Sequence, residues 1–495
     1  MANENIIQTV EFKNVFNEYV KETELSLPDY CPGIFRVVKL IAQPFIKSLS
    51  AREGGSMAEG QVLFTLLYKA KDDDTLHAYC VKDDFSFFTK EEGDCFAFAQ
   101  TLYSSCRLTS DRRATLKAVI NIKIIKRGVS ETPIYTPSKV IVARERSFVN
   151  DTPVTFAAKR FTLRFENDHA DCPDALLYTE ICPVTKETKV VKGRVLIKGE
   201  AIIRGVYSYD DNTVKSIYNR LPFSQIIDAP DALDTDNCRP FISVSDIDCT
   251  FTRGENSCIT SCDVSLNLFI DITRPVRQKI YTDCFCPNYK TEIKKAPFGA
   301  RAFKERVSFS SSLSFTLNLS DGVKSLTDTA VFLTPDSLNI TDSRLKISGS
   351  ALIRAIYLNE NNETATAEKT LPFECFTPYE NTDLLSVFGE ICTLSQDASY
   401  TENTITVRIE TQCFAYVYNM FSENILQSAT PCTDAPIKIT RPEMSVCFAK
   451  KGEEIWEIAK EFCALPERIK ALNGIEGESL SEDMELILPS IILPL

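Results

Sequence analysis

Apolar and polar residues alternate with a period of two along much of this chain. The clearest stretch is 197–207, where Ile, Gly, Ala, Ile, Gly and Tyr occupy successive odd positions and Lys, Glu and Arg stand among the even ones. This period is typical of a strand with one buried face. Polar turn residues follow at 210–212, and the chain then returns to a Leu-Pro-Phe triplet at 221–223. The pattern predicts a β-hairpin.

The hairpin recurs 150 residues later in the same register. The matched positions are Gly199 and Gly349, Ala201 and Ala351, Arg204 and Arg354, Tyr207 and Tyr357, and Phe223 and Phe373. A weaker copy starts at Gly60, with Tyr68 and Phe85 at the matching places. A fixed register of this kind indicates internal duplication. The matched aromatic residues are therefore predicted to be equivalent core residues. The small residues are expected to face a bulky neighbour or a close backbone. The matched arginines are expected to form salt bridges within their own modules.

Three copies of the hairpin predict three antiparallel β modules, each a sandwich or half-barrel. The predicted fold class is mainly β: repeated β-sandwich-like modules followed by a small βααβ domain. Apolar residues at helical spacing between Phe12 and Val20 add an N-terminal amphipathic helix, expected to pack on the first module, with docking onto another subunit as the alternative. The boundaries are 1–24 for this helix, 25–127, 128–277 and 278–428 for the modules, 429–442 for a linker rich in Pro and Thr, and 443–491 for the final domain.

The periodicity becomes helical after the linker. One amphipathic helix is predicted at 455–462, and a second starts at Pro466 and ends at Asn473 and Gly474, residues that suit a helix start and a helix end. A short strand at 486–489 follows. The predicted core of this domain is Ile455, Ile458, Ala459, Phe462, Ile469 and Leu472. Trp456, the only tryptophan, is expected in the core rather than at a ligand.

Composition limits the partners. The net charge is −13, and an acidic surface repels phosphate backbones, so nucleic acid is not an expected partner. The N-terminus is polar and lacks the apolar segment of a signal peptide. Apolar runs are too short to span a bilayer, so no direct membrane insertion is expected. These features predict a soluble protein made in the cytosol.

Candidate chemistry is sparse. The 18 cysteines and two histidines favour buried thiols in a reducing compartment, with a metal site or late oxidative cross-linking inside an assembly as alternatives. No P-loop, nucleophile elbow or metalloprotease motif occurs, so the chain is not expected to be an enzyme, and no cofactor is predicted. The acidic clusters at 72–74 and 210–211 are interpreted as solvated hairpin turns, with calcium binding as the alternative.

The final domain resembles LysM domains. The family pattern Gly-Asp-Thr-Leu-Trp-x-Ile-Ala corresponds to Gly-Glu-Glu-Ile-Trp-Glu-Ile-Ala at 452–459. A segment similar to Leu-x-x-Leu-Asn follows at 469–473, and a terminal Leu-Pro stands at 488–489. In that family the loops after the first strand and after the second helix bind N-acetylglucosamine chains. The resemblance places a candidate partner- or glycan-binding site at Gly452, Glu453, Glu454, Asn473, Gly474 and Ile475.

The β modules resemble SPOCS modules, which share a strand of small and apolar residues ending in Tyr, a polar turn and a Pro-Phe return. Repeated SPOCS modules with a C-terminal LysM domain resemble the SipL-type spore coat morphogenetic proteins of clostridial spore formers. This resemblance implies a mother-cell protein that gathers at the forespore surface. It also implies that the LysM domain recruits the ATPase that forms the base layer of the coat.

Two functions follow from these resemblances. The favoured one is a non-enzymatic scaffold of spore coat assembly whose LysM domain docks a protein partner. The alternative is a cell-wall protein whose LysM domain holds the glycan chains of peptidoglycan; a glycan hydrolase is the remotest option because no catalytic motif accompanies the domain. Glu453 and Glu454 replace the Asp-Thr pair of the family, and two carboxylates suit a basic protein surface better than a sugar chain.

Overall fold

The chain folds almost entirely into antiparallel β-strands. The computed structural model describes residues 6–70, 75–210, 213–254, 257–380, 384–437 and 444–489. Every named strand pair within these ranges is antiparallel. The prediction of a mainly β fold built from antiparallel sheets is confirmed.

Each of three modules contains six strands in two three-stranded sheets. Module 1 consists of β1 (Ile6–Ser26), β2 (Ile34–Arg52), β3 (Gly55–Ala70), β4 (His77–Thr89), β5 (Cys95–Leu108) and β6 (Arg113–Pro133). Module 2 consists of β7 (Val142–Asp168), β8 (Ala175–Val191), β9 (Arg194–Ser208), β10 (Val214–Asp228), β11 (Asn237–Arg253) and β12 (Cys258–Phe285). Module 3 consists of β13 (Tyr289–Asn318), β14 (Ser325–Thr341), β15 (Arg344–Leu358), β16 (Thr364–Pro378), β17 (Leu385–Thr401) and β18 (Thr404–Pro436). In every module the second to fourth strands form one sheet, and the first, fifth and sixth form the other.

The repeated residues occupy equivalent core positions. Tyr207 is 1% exposed and Tyr357 is 3% exposed. Phe223 pairs with Gly199 across β9 and β10, and a Cβ atom on that glycine would lie 2.4 Å from the phenylalanine ring. Such a contact is far too short, so only glycine fits beneath the ring. Gly60 and Phe85 repeat both the pairing and the close ring contact. Gly349 pairs with Phe373 in the same register, and there the closest atoms to an added Cβ belong to the backbone at 334–336. The predicted equivalence of the core positions is confirmed.

The predicted N-terminal helix is wrong, because residues 6–26 form β1. This strand pairs with β6 from Ile6 to Ser26 without interruption, and a ladder of that length satisfies more backbone groups than an isolated helix of three turns. Val15 and Tyr19 pack against the core of module 1. Phe16, assigned to the same helical face, is 61% exposed. The strand is therefore an integral part of module 1.

The predicted module boundaries also change. Residues 127, 277 and 428 fall inside β6, β12 and β18, respectively. These strands run past the predicted limits because each pairs along its extended region with the long first strand of its own module: β6 with β1, β12 with β7, and β18 with β13. Residues 429–436 of the predicted linker continue β18 against β13, and residues 438–443 lie outside the described part.

Buried polar groups join module 1 to module 2 and module 2 to module 3. Arg127 of module 1 donates to Asp271 of module 2 at 2.6 Å. Arg204 of module 2 donates to Glu180 of its own module at 2.9 Å and to Asp328 of module 3 at 2.5 Å. The predicted salt bridge within the module is present, but it extends across a module junction. The three modules are thus held together by specific contacts.

Among the described residues, six cysteines lie side by side in three pairs. They are Cys172–Cys258, Cys182–Cys392 and Cys249–Cys262. Folding places the two members of each pair next to each other, and the expectation that the cysteines are reduced stays a prediction. The Cys182–Cys392 pair joins β8 of module 2 to β17 of module 3, with its Cα atoms 6.6 Å apart.

The C-terminal domain has the element order strand, helix, helix, strand. These elements are β19 (Met444–Ala449), α1 (Ile455–Glu461), α2 (Pro466–Asn473) and β20 (Met484–Pro489). The two strands pair antiparallel. Pro466 stands in the first turn of α2, and Gly474 ends that helix in the left-handed conformation at φ 64°, which glycine adopts without strain.

Candidate functional site

The C-terminal domain is docked on module 2 through its tryptophan. Trp456, on α1, is 5% exposed, and its indole Nε1 donates to the carboxylate of Asp283 at 2.9 Å. The ring also packs edge-on against Phe285, at a centroid distance of 5.5 Å. Both partners lie on β12. The expectation that Trp456 is a core residue rather than a ligand contact is confirmed, and the core to which it belongs includes Phe285 of module 2.

Asp283 is the centre of this junction. Lys460 of α1 and Lys295 of β13 approach its carboxylate at 2.7 and 3.1 Å. Burial disfavours the charged carboxylate, but the hydrogen bonds from Lys460, Trp456 and Lys295 outweigh it and hold the pKa of Asp283 at about 2. The carboxylate is therefore ionised at neutral pH, and it ties α1 to modules 2 and 3.

The first loop of the predicted site is partly occupied by this junction. Arg144 of β7 forms an ion pair with Glu454 at 2.7 Å, so that carboxylate is committed to module 2. Gly452 and Glu453 are exposed, and the backbone of Glu453 accepts a hydrogen bond from Leu480. Only one of the two predicted carboxylates remains open to a partner.

The second predicted loop serves the domain itself. The side chain of Asn473 donates to the carbonyl of Ile487 and accepts from its N–H at 2.8 and 2.7 Å, which covers the free edge of β20. Ile475 packs against the domain core, whereas Gly474 is exposed. The two loops place Glu453 and Gly474 at the surface, and Glu454, Asn473 and Ile475 have structural contacts.

The predicted domain core is confirmed at most positions. Ile455, Ala459 and Ile469 are fully buried, and Ile458 is 5% exposed. Phe462 is half-buried against them. Leu472 is 43% exposed, so its assignment to the core is wrong: α2 turns its last apolar residue outward while Asn473 reaches back to β20.

An apolar strip on the outer face of the two-stranded sheet was missed by the sequence analysis. Met444, Val446 and Phe448 are 58, 64 and 66% exposed, and Ile487 is 38% exposed. Val446 pairs directly with Ile487 across the sheet. The alternation of exposed and covered residues along β19 was visible in the sequence as Met-x-Val-x-Phe, but a period of two does not tell which face is buried.

The other candidate sites lie wholly or partly outside the described residues. Within the described ranges no cluster of His, Cys, Asp and Glu could hold a metal ion. The acidic cluster at 72–74 lies outside the described residues, as does position 211, so the calcium alternative stays untested there. No helix among the described residues is long and apolar enough to cross a membrane.

Comparison with known proteins gives one match. Residues 174–252 match the family model described as "SipL, SPOCS domain", and this segment corresponds to strands β8 to β11 of module 2. No curated protein and no solved structure matches the chain. The matched segment includes the hairpin whose residues recur in modules 1 and 3. The match supports a SipL-type family for this chain and indicates a protein related to sporulation and the spore coat.

Proposed function

We propose that this chain is a non-enzymatic scaffold of spore coat assembly. Its three modules form a body that carries the C-terminal domain, and that domain recruits a basic protein partner. The SipL-type resemblance names this partner as the ATPase of the coat base layer, in the mother cell at the forespore surface. The LysM-like character of the domain is part of the proposal.

The proposal rests on the difference between the two sides of the C-terminal domain: one side contacts the modules, and the other is exposed and apolar. One side is fixed to module 2 through Trp456 and Glu454. The opposite sheet face presents the apolar strip of Met444, Val446, Phe448 and Ile487. Exposed apolar patches rimmed by charge are typical of protein–protein interfaces. A domain that is docked on one side and apolar on the other is suited to join two proteins.

Charge specifies the kind of partner. Residues 444–489 contain ten acidic and five basic side chains. Glu485 lies directly opposite Phe448 on the adjacent strand and is exposed. Acidic groups around an apolar centre favour encounter with a basic surface and disfavour acidic ones. The expected partner surface is therefore apolar in the middle and basic at its edge.

Several contacts weigh against the glycan-binding alternative. Glu454, Asn473 and Ile475, three of the six residues assigned to a glycan site, already have partners inside the molecule. Trp456 is buried against Phe285 and offers no face for stacking on a sugar. The exposed surface of the domain therefore suits a protein partner better than a glycan chain.

The test is retention of the purified coat ATPase by the immobilised full chain. Phe448→Ser and Val446→Thr remove apolar surface at exposed strand positions, and each should weaken retention by about tenfold, corresponding to about 1.4 kcal/mol. Phe376→Ser, at a residue of module 3 that is 52% exposed, is the matched control and should retain the partner normally. Strong sedimentation of the unmodified chain with purified peptidoglycan, without retention of the ATPase, would favour the wall-binding alternative.

A further inference from the structure

A cavity of about 480 Å³ lies where the three modules meet. Its walls come from β2, β5 and β6 of module 1, β8 and β11 of module 2, and β14, β17 and β18 of module 3. Aromatic rings from all three modules line it, namely Phe45, Phe98, Phe241 and Phe414. Its volume is within the range of cavities that hold small organic ligands and far exceeds the space of one water molecule.

Three equivalent cross-strand pairs face this region. They are Phe98–Lys123, Phe241–Phe269 and Glu390–Phe414. In each module the fifth strand contains a β-bulge, and the first residue of the pair lies three positions before it. This shared position shows that the three pairs are equivalent, whatever their side chains. Module 2 has two phenylalanines at this place. Modules 1 and 3 each replace one of them with a charged residue, although the surrounding wall stays apolar.

Within the described ranges, the two charged replacements have no ion-pair partner of their own. The Lys123 ammonium lies over the Phe16 ring, 5.8 Å from its centroid, and Glu390 lies within electrostatic reach of Arg239 and Arg306. Among the described residues, neither Lys123 nor Glu390 forms an ion pair or a hydrogen bond through its side chain. Both residues are half-buried, and burial lowers the pKa of Lys123 and raises that of Glu390, as expected for charges partly removed from water. Unpaired charges beside apolar walls are costly, so these residues are not explained by the stability of the fold.

A third charge reaches the same cavity. Arg239 lies two residues before Phe241 on β11 and also lines the cavity. Its guanidinium stands over four aromatic rings, the nearest being Phe241 at 4.6 Å. Its Nε and Nη1 atoms are buried without a hydrogen-bond partner in the described part of the chain. Guanidinium N–H groups in this condition are available to an acceptor that the protein itself does not supply.

These observations give the chemistry of a ligand. The cavity has two cations, Lys123 and Arg239, and one carboxylate, Glu390, which lies within electrostatic reach of both. Arg306 also lies within electrostatic reach of Glu390, with its guanidinium donating to backbone carbonyls of β8, so positive charge is in excess around the cavity. We propose that the cavity binds an organic monoanion with an apolar body, of the class of medium-chain carboxylates, with its carboxylate towards Lys123 and Arg239 and its chain between the phenylalanines.

Calorimetric titration of the full chain with octanoate, octan-1-ol and octylamine tests the proposal. The three probes share the same chain and differ in head-group charge. Octanoate should bind saturably at one site, octan-1-ol about tenfold more weakly, and octylamine without measurable saturation. Equal binding of all three probes would contradict a role for the cations, and no saturable binding of octanoate would overturn the site. This arm uses only the unmodified protein.

Variants then locate the site. Lys123→Met should lower octanoate affinity about tenfold and leave octan-1-ol affinity unchanged, whereas Lys117→Met, on the same strand but exposed and paired with Glu22, should change neither. Ala99→Phe, on the cavity wall, should prevent binding of both probes by filling the space. Unchanged octanoate binding in folded Lys123→Met or Ala99→Phe protein would place the ligand elsewhere and refute the proposal. None of these results depends on recruitment of the coat partner.

Discussion

Arg204 and Arg354 occupy the same position of the repeat but stand at two different module junctions. Arg204, at the junction of modules 2 and 3, has a side chain 6% exposed and pairs with Asp328, 7% exposed. Arg354, at the junction of modules 3 and 1, has a side chain 12% exposed and pairs with Glu368, 37% exposed. Glu368 in turn pairs with Lys39 of module 1. One arginine is enclosed, and the other joins a network that water reaches.

The difference shows that a repeated residue acquires its energetic importance from its junction. Tyr178 and the carbonyl of Thr329 complete the shell around Arg204 and Asp328, and Cys182 lies beside Cys392 across the same junction. Beside Arg354 and Glu368 lies a cavity of about 400 Å³ between modules 1 and 3. Removing one member of an enclosed pair leaves a buried charge without a partner, whereas water can replace a partner at an exposed pair. Modules 2 and 3 should therefore separate less readily than modules 3 and 1.

The largest expected effect is that of Arg204→Met. This change leaves the carboxylate of Asp328 buried beside Tyr178 and should lower the free energy of unfolding by about 3–5 kcal/mol. Denaturant titration followed by circular dichroism measures it. A loss below about 1 kcal/mol would mean that the pair is solvated, and the contrast between the two junctions would disappear.

The core positions should not show the contrast between junctions. Tyr207→Ala and Tyr357→Ala each remove a buried aromatic ring, and each should cost about 3–5 kcal/mol. The two losses should agree within about 1 kcal/mol because both rings fill equivalent sites. Thermal unfolding of the two variants side by side is the measurement. An unchanged melting temperature for Tyr357→Ala would remove the basis for the equivalence.

The junction of the C-terminal domain with module 2 should depend on acid. The pKa of Asp283 is about 2 in the folded chain and about 3.9 in an unfolded one. Its stabilising contribution is therefore present above the unfolded value and is lost as the pH falls through the folded value, an effect of about 2 kcal/mol. Trp456 fluorescence should report the release of the domain between about pH 4 and pH 2. Asp283→Asn should remove this transition, and its persistence in that variant would assign it to another group.

The smallest effect is expected for Arg354→Met. Glu368 keeps Lys39 as a partner at 2.5 Å and is more than a third exposed, so the loss of unfolding free energy should be at most about 1 kcal/mol. The same denaturant titration as for Arg204→Met applies. A loss of about 3 kcal/mol or more would show that this junction is as enclosed as the other.

The repeat could be predicted from the sequence because its signal is local. The alternation along β9 and β15, and the pairing of Gly199 with Phe223, depend on residues close in the chain. The junctions could not be predicted. Asp328 is 124 residues from Arg204, and the sequence around either residue gives no sign that the two are in contact.

The same limit applies to the N-terminus and the candidate site. The spacing of Phe12, Phe16 and Val20 suits a helix, but the partner strand β6, which decides the conformation, begins about ninety residues after β1 ends. The burial of Trp456 was predicted, whereas its hydrogen bond to Asp283, 173 residues away, was not. Glu454 looked free because Arg144 lies in another module. Local patterns gave the elements of the C-terminal domain, but they did not reveal which of its surfaces module 2 covers.

The central claim is that equivalent arginines are coupled unequally to their neighbours, and two double-mutant cycles test it most directly. One cycle combines Arg204→Met with Asp328→Asn, and the other combines Arg354→Met with Glu368→Gln. Unfolding free energies of the single and double variants give the interaction energy of each pair without the effects of the separate substitutions. We expect about 2–3 kcal/mol for Arg204 with Asp328 and at most about 0.5 kcal/mol for Arg354 with Glu368. Equal interaction energies, or a larger value for the second pair, would contradict the claim.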